Sequence, residues 1–342
     1  MASGVVTALY GLSQNFGWDP IGPGEDFARN FASFWNPIFF GSFLLMASFA
    51  TIAVALEARR SGQNAVFAAS TLALGIELAG LWASESRGPL LGVAAGVLTF
   101  GVIGAIWLNR KTFVTAVGVV VAGLVIALVI SLIPDGDAGA VSRNLEDLGD
   151  IFDNEQATSI GRRVTIWEGA LELAGSWERS PAESTLRHAM RPIFGLGPDM
   201  YFYSYPLSVD NDPTQDGLFF AHVHNYPMQV LLEMGLLGLT SFLALALLVV
   251  YAALAVLRAE KGAGREGGLI AIFMAALLAA LVGRAVEQMS GVANVGDLLT
   301  FWAIAGLVIA LAVMSRLSAV ETIPERSARA RLLEVYPLTL RW

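Results

Sequence analysis

The chain has 342 residues, 55% of them hydrophobic and only 15% charged, with a formal net charge of −8. About a quarter of the residues in a soluble domain are charged, so an ordinary soluble fold is excluded. The acidic balance argues against nucleic acid as a partner, and the absence of cysteine removes disulfide and thiolate chemistry.

A helix that crosses a bilayer needs ~20 mostly apolar residues. The first apolar stretch, Val5–Leu12, is too short to cross alone and reads as the end of a longer helix or as a re-entrant segment. No basic segment with a small-residue cleavage site precedes it, so it does not read as a signal peptide. Seven longer stretches follow: Asn36–Leu56, Ala65–Ala83, Pro89–Leu108, Phe113–Ile133, Tyr226–Leu257, Leu269–Met289 and Leu298–Met314. The fold class is therefore all-α, a polytopic transmembrane bundle of about seven spans. It divides into an N-terminal bundle (1–133), a long polar loop (134–223), C-terminal transmembrane helices (224–317) and a tail (318–342).

Basic residues mark cytoplasmic loops. Arg59 and Arg60 follow the first span, Arg110 and Lys111 the third, and Arg258, Lys261 and Arg265 the fifth. Arg316, Arg326, Arg329, Arg331 and Arg341 follow the last. Residues 1–35, 84–88, 134–225 and 290–297 are then expected outside, and the arginine-rich stretch 325–332 reads as a solvated or surface helix. The outer loop is acidic. Its first part, Pro134–Gln156, reads as flexible. Further on, Val164, Trp167, Leu171, Ala174 and Trp177 recur at helical spacing, which predicts an amphipathic helix over Arg163–Trp177. Pro192, Gly195, Gly197 and Pro198 predict a rigid turn. The aromatic run Tyr201–Tyr205 suits a membrane interface.

Two constellations carry chemistry. The first is the run 221–227, Ala-His-Val-His-Asn-Tyr-Pro, which holds His222 and His224, two of the three histidines. A histidine beside water can serve as a general base. The competing readings are an interfacial histidine bonded to backbone, or a metal site. His222 and His224 could share a metal with Asp210, Asp212, Asp216 or His188, but a third ligand at diagnostic spacing is absent. The second constellation is arginine without lysine: Arg29, Arg87, Arg162, Arg163, Arg187, Arg191 and Arg284 all fall on the expected outer side. Guanidinium forks bind phosphate bidentately, although pairing with nearby carboxylates would explain part of this set. Glu77, Glu233 and Arg284 fall within or near spans. Glu233 lies ~9 residues into its helix, roughly 13 Å along the axis, and Arg284 reads as a local pair with Glu287, three residues on. Gly235 and Gly238 read as packing glycines.

Together these pieces resemble the O-antigen ligase and polymerase superfamily. His224, Asn225, Gly235, Gly238 and Leu239 match its His-Asn-x9-Gly-x-x-Gly-Leu hallmark. Arg163 with Trp167 resembles its Arg-x3-Trp segment, and 192–198 its Pro-x-x-Gly-x-Gly turn. Ser86-Arg87-Gly88 resembles its Ser-Arg-Gly element, and Gln14, Arg29 and Asn36-Pro37 its N-terminal part. The family pattern has several more spans before the position of Gln14, so this chain reads as a fragment or a shortened member. The resemblance implies a metal- and nucleotide-independent glycosyltransferase of the bacterial inner membrane, its site facing outward and no cofactor needed. It would move a glycan from undecaprenyl diphosphate to a lipid, glycan or protein hydroxyl, in contact with membrane lipids. His224 is then the base and Arg163 and Arg87 the main diphosphate contacts. Arg29, Arg162, His222, Asn225, Trp167 and Glu233 are expected around the substrate. The alternative is a transporter or flippase of a lipid-linked or small anionic substrate.

Overall fold

The computed structural model describes residues 1–15, 17–19, 29–133, 159–176, 184–208, 222–293 and 295–321. The acidic segment 134–156, Trp177, the aspartates 210, 212 and 216, and the tail from 322 lie outside them, as do the side chains of Arg162, Arg187 and Arg316. The described residues form helices and no strand: α1 (Ala2–Gln14), α2 (Pro37–Arg60), α3 (Asn64–Ala83), α4 (Arg87–Trp107), α5 (Arg110–Ser131), α6 (Ser159–Ser176), α7 (Thr185–Phe194), α8 (Tyr201–Ser208), α9 (Tyr226–Gly262), α10 (Leu269–Glu287) and α11 (Val295–Glu321). Seven of them, α2–α5 and α9–α11, are long and apolar enough to cross a membrane, and they coincide with the seven expected stretches.

Small residues let the central helices approach one another. Gly92 and Gly96 of α4 face Gly283 and Ala279 of α10. A Cβ on Gly92 would lie 2.7 Å from the Gly283 carbonyl oxygen, and one on Gly283 would lie 2.5 Å from that of Gly92. The two backbones therefore touch, as in small-residue seams between membrane helices. α2 and α10 are the most enclosed spans, each 67% buried, whereas α5 and α9 present most of their apolar surface outward. In water such a surface would aggregate; in lipid it needs no partner. α1 is one short helix over the expected Val5–Leu12 stretch. It lies against α2 and α3, where Gly11 leaves room for Phe40 and Gly80 for Ala8.

The fifth span differs from expectation. Gly235 has φ 67° and ψ −168°, which ends one helix at 234 and starts another at 236. Along an unbroken helix Tyr226 and Phe242 would be ~24 Å apart. Their rings instead meet edge to face at 5.5 Å between centroids, so the chain doubles back at Gly235. A half-helix, 226–234, is folded against the long span 236–262. Gly235 is thus a reversal point and not a helix-packing glycine. Only a residue without Cβ takes that φ without strain.

The expected turn at 192–198 fits into this break. Leu196 N–H donates to the Leu232 carbonyl (2.8 Å) and Gly197 N–H to that of Glu233 (2.9 Å). These carbonyls lack helical partners because the half-helix stops, and the turn supplies donors. Gly195 and Gly235 meet backbone to backbone: a Cβ on Gly235 would lie 2.6 Å from the Gly195 nitrogen. A small core seals the joint, with Ala170 and Leu173 of α6, Tyr201 and Tyr205 of α8, Val223 and Leu232. The predicted amphipathic helix is α6, and its Trp167 borders this core.

Candidate active site

The His-Asn element sits where the half-helix meets the end of α10. Asn225 works in two directions. Its side-chain carbonyl accepts from Met228 N–H (3.0 Å), capping the half-helix, and its amide donates to the Met289 carbonyl (3.2 Å). Tyr226 N–H donates to the Gln288 carbonyl (3.0 Å). His224 is therefore tied to the C-terminal end of α10, a link no local pattern reveals. His224 itself has φ 54°, a left-handed value that is uncommon for a side-chain-bearing residue. Ala32, Trp35 and Glu85, on the segments that carry Arg29 and Arg87, are also left-handed. Such strain persists where surrounding contacts over-determine the backbone, and it collects at functional sites.

Three of the expected arginines converge. Arg29, Arg87 and Arg163 line one open cavity of about 100 Å³, with Ile38, Glu85, Ser86, Gly88, Glu287, Ser290 and Gly291. They come from three unconnected places, the segment before α2, the start of α4, and α6, and the end of α10 adds Glu287 to the lining. Arg29 is delivered by α1. The Gln14 side-chain oxygen accepts from Phe31 and Ala32 N–H (3.1 and 3.0 Å), and Asn30 donates to Asn15 (2.5 Å). Arg29 then donates to the Glu85 carbonyl at 3.3 Å. Arg87 is set at the first residue of α4 by the Ser86 N-cap position, and the α4–α10 seam fixes that end against Glu287.

Electrostatics report the same clustering. Burial, then Arg87 and Arg29, hold the Arg163 guanidinium below its ordinary value. Burial, then Arg163 and His222, push His224 down to about 4. His224 is thus neutral at pH 7 and lies within the field of Arg163. Its Nδ1 is buried with no hydrogen-bond partner among the described residues, as are Trp167 Nε1 and Tyr201 Oη.

The remaining expected residues take other places. His222 Nδ1 faces Gln229 Nε2 at 3.2 Å. Gln229 also reaches Glu233 at 3.4 Å, whose carboxylate accepts from Asp199 and Tyr201 N–H at the start of α8. Glu233, 8% exposed, ties the half-helix to the start of α8, within the cap formed by α6, α7, α8 and the 192–198 turn. The Arg162 side chain lies outside the described residues. Arg284 and Glu287 form the expected i,i+3 ion pair, 1% and 0% exposed, and Arg284 donates to Ser42 Oγ (3.2 Å). Sequence reasoning missed that Glu287 also faces the arginine cavity. The only clue was its place at the end of a span opposite Ser86-Arg87-Gly88. Glu77 is fully buried, with Thr51 donating to one oxygen at 3.1 Å.

The family model described as O-antigen ligase matches residues 71–176. That range runs from α3 through α6 and contains Arg87, Arg163 and Trp167. The match supports the O-antigen ligase and polymerase superfamily. It supports an O-antigen ligase-like membrane glycosyltransferase, and with seven apolar helices a multi-pass membrane protein. The matched range stops before the His-Asn-x9-Gly-x-x-Gly element, which the fold brings to the same end of the bundle. No match was found among the curated proteins.

Proposed function

We propose that this O-antigen ligase-like chain transfers a glycan from undecaprenyl diphosphate to an acceptor hydroxyl, at the outer face of a bacterial inner membrane. One observation carries the reading: Arg29, Arg87 and Arg163, remote in sequence, line one cavity, and the neutral His224 lies within the field of Arg163. Guanidinium forks match the oxygens of a diphosphate. Arg162, next to Arg163, and His222, two residues before His224, would border the substrate. Asn225 and Glu233 would hold the site in shape, and Trp167 would back it.

In this mechanism His224 accepts the proton of the acceptor hydroxyl. The oxygen attacks the anomeric carbon of the first sugar, and the bond from that carbon to the diphosphate oxygen breaks. The electron pair leaves with undecaprenyl diphosphate, whose charge the arginines stabilise as it develops. A histidine held at about 4 is a weak base in the free protein. The donor changes that. Its diphosphate balances Arg163, removing one of the charges that depress His224, so the base gains strength once the donor is seated.

The deciding experiment measures transfer from a lipid-diphosphate-linked glycan in membranes, comparing His224→Ala with the parent at equal expression. Loss of transfer with donor binding kept is the expected result. Full transfer by the variant would remove His224 from the mechanism. A buried Glu77 with one oxygen unpartnered among the described residues is the observation that favours a transporter. On that reading Glu77→Gln harms function more than His224→Ala.

A further inference from the structure

The arginine cavity has a carboxylate built into its wall. Glu287 is fully buried at the last turn of α10. One of its oxygens, Oε2, is engaged by Arg284 and accepts from Gln288 Nε2 at 2.9 Å. The other, Oε1, has no hydrogen-bond partner among the described residues. It lies between two glycines that line the cavity. A Cβ on Gly291 would occupy its position, and one on Gly88 would lie 3.6 Å away. Glycine at 291 is what leaves room for it. A helix C-terminus is a poor place for a carboxylate, because the backbone dipole is negative there. A buried carboxylate oxygen without a donor is costlier still. Arg284 and Gln288 compensate one oxygen, and nothing among the described residues compensates the other.

The charges around the cavity explain what it does. Arg29, Arg87 and Arg163 line it together with Glu85 and Glu287, and Arg284 pairs with Glu287. Three arginines in one small cavity would hold a diphosphate tightly before the reaction and equally tightly after it. A transferase gains no rate from binding donor and product alike.

We infer that Glu287 is the fixed counter-charge of the diphosphate site, a positioning residue whose role is to weaken the grip on undecaprenyl diphosphate so that the spent carrier leaves. This rests on the donor reading above. Glu287 does not touch the reacting atoms. Its charge, only half engaged by the local pair, lowers the positive potential of the cavity.

The sign of the effect separates this from a structural role. In Glu287→Gln, both Arg284 and Gln288 donate toward the Oε2 position, so the new carbonyl takes that place and a neutral amide takes that of Oε1. The variant keeps the volume and loses one negative charge. The test measures inorganic pyrophosphate and undecaprenyl diphosphate binding to the full chain in detergent, then single- and multiple-turnover transfer in membranes. Glu287→Gln is expected to bind both ligands severalfold to about tenfold more tightly. Multiple-turnover rate should fall, with single-turnover rate close to the parent. The pair-removing variant Arg284→Gln/Glu287→Gln restores the net charge and leaves no lone buried ion. It is expected to bind like the parent, and it decides the matter if the single variant does not fold.

Unchanged or weaker binding in Glu287→Gln overturns the inference, as does weaker binding in the double variant. A parent that binds neither pyrophosphate nor undecaprenyl diphosphate overturns the donor reading itself, and this inference with it. A parent that binds both, with Arg163→Ala losing them, keeps the donor reading whatever Glu287 does.

Discussion

Glycines build both the α4–α10 seam and the joint at Gly235. In the seam, Gly92 and Gly283 are helical, and their value lies in the missing Cβ, which lets two spans touch. At the joint, Gly235 and Gly195 have φ of 67° and 74°, and their value lies in the backbone shape itself. The seam holds a rigid frame that fixes Arg87 and Glu287. The joint attaches a cap by two backbone hydrogen bonds and a small core. The site lies between them, with Arg87 on the frame and Arg163 on the cap. One partner is fixed by helix-to-helix packing along whole spans and the other by two backbone hydrogen bonds and a small core, so frame and cap should fail differently.

The largest effect is expected where both regions meet at the proposed diphosphate site. Arg163→Ala should lower transfer about 10²–10³-fold, the usual result of removing one donor to developing charge. Arg60→Ala, at the solvent-facing i,i+3 pair with Glu57 at the end of α2, should leave transfer unchanged. Equal losses in both would show that the arginine cavity has no special part.

Next come the glycines. Gly235→Ala meets a strained φ and the 193–195 backbone together, and should detach the cap at a cost of at least about 2 kcal/mol. Transfer should be lost while most of the bundle keeps its thermal stability in detergent. Gly283→Ala drives a methyl into the Gly92 carbonyl and should cost about 1–3 kcal/mol of bundle stability. The comparison fails if Gly235→Ala lowers the melting temperature of the bundle as much as Gly283→Ala does.

A smaller effect is expected with pH. Unfolded histidine titrates near 6.5, whereas folded His224 titrates at about 4. Between those values the unfolded chain binds the extra proton, so stability falls as pH drops from 6.5 toward 4 and is unaffected by this group above 6.5. For transfer, the acid limb of kcat/KM, which reports the free protein, should lie near 4. The acid limb of kcat should lie higher, because bound diphosphate offsets Arg163. Coincident limbs would mean that donor and His224 do not sense each other.

The frame was more legible than the joint, and the reason is the range of the signals. Each span shows itself through its own apolar run, and Arg284 with Glu287 through a three-residue spacing. The amphipathic repeat gave α6 in the same way. A glycine in an apolar stretch, by contrast, reads the same whether it packs a helix or reverses the chain. The φ of Gly235 is fixed by a turn forty residues earlier. Likewise the cavity-facing side of Glu287 depends on α4 lying against α10, which no local pattern encodes. The arginine set was visible as residues but not as a set, since three separate segments had to be brought together.

The smallest effect tests the clamp between the two regions. Asn225 uses its carbonyl on the half-helix and its amide on Met289. Asn225→Asp keeps the cap and loses the amide donor, so the half-helix stays formed while His224 loses one tie to α10. Asn225→Ala loses both, and the cap alone is worth about 1 kcal/mol. Both should lower kcat, because each loosens the histidine. Asn225→Ala alone should also lower the melting temperature, by the missing cap. If Asn225→Asp transfers at the parental rate, the bond to Met289 is dispensable, and the motif's asparagine acts only as the cap of a broken helix.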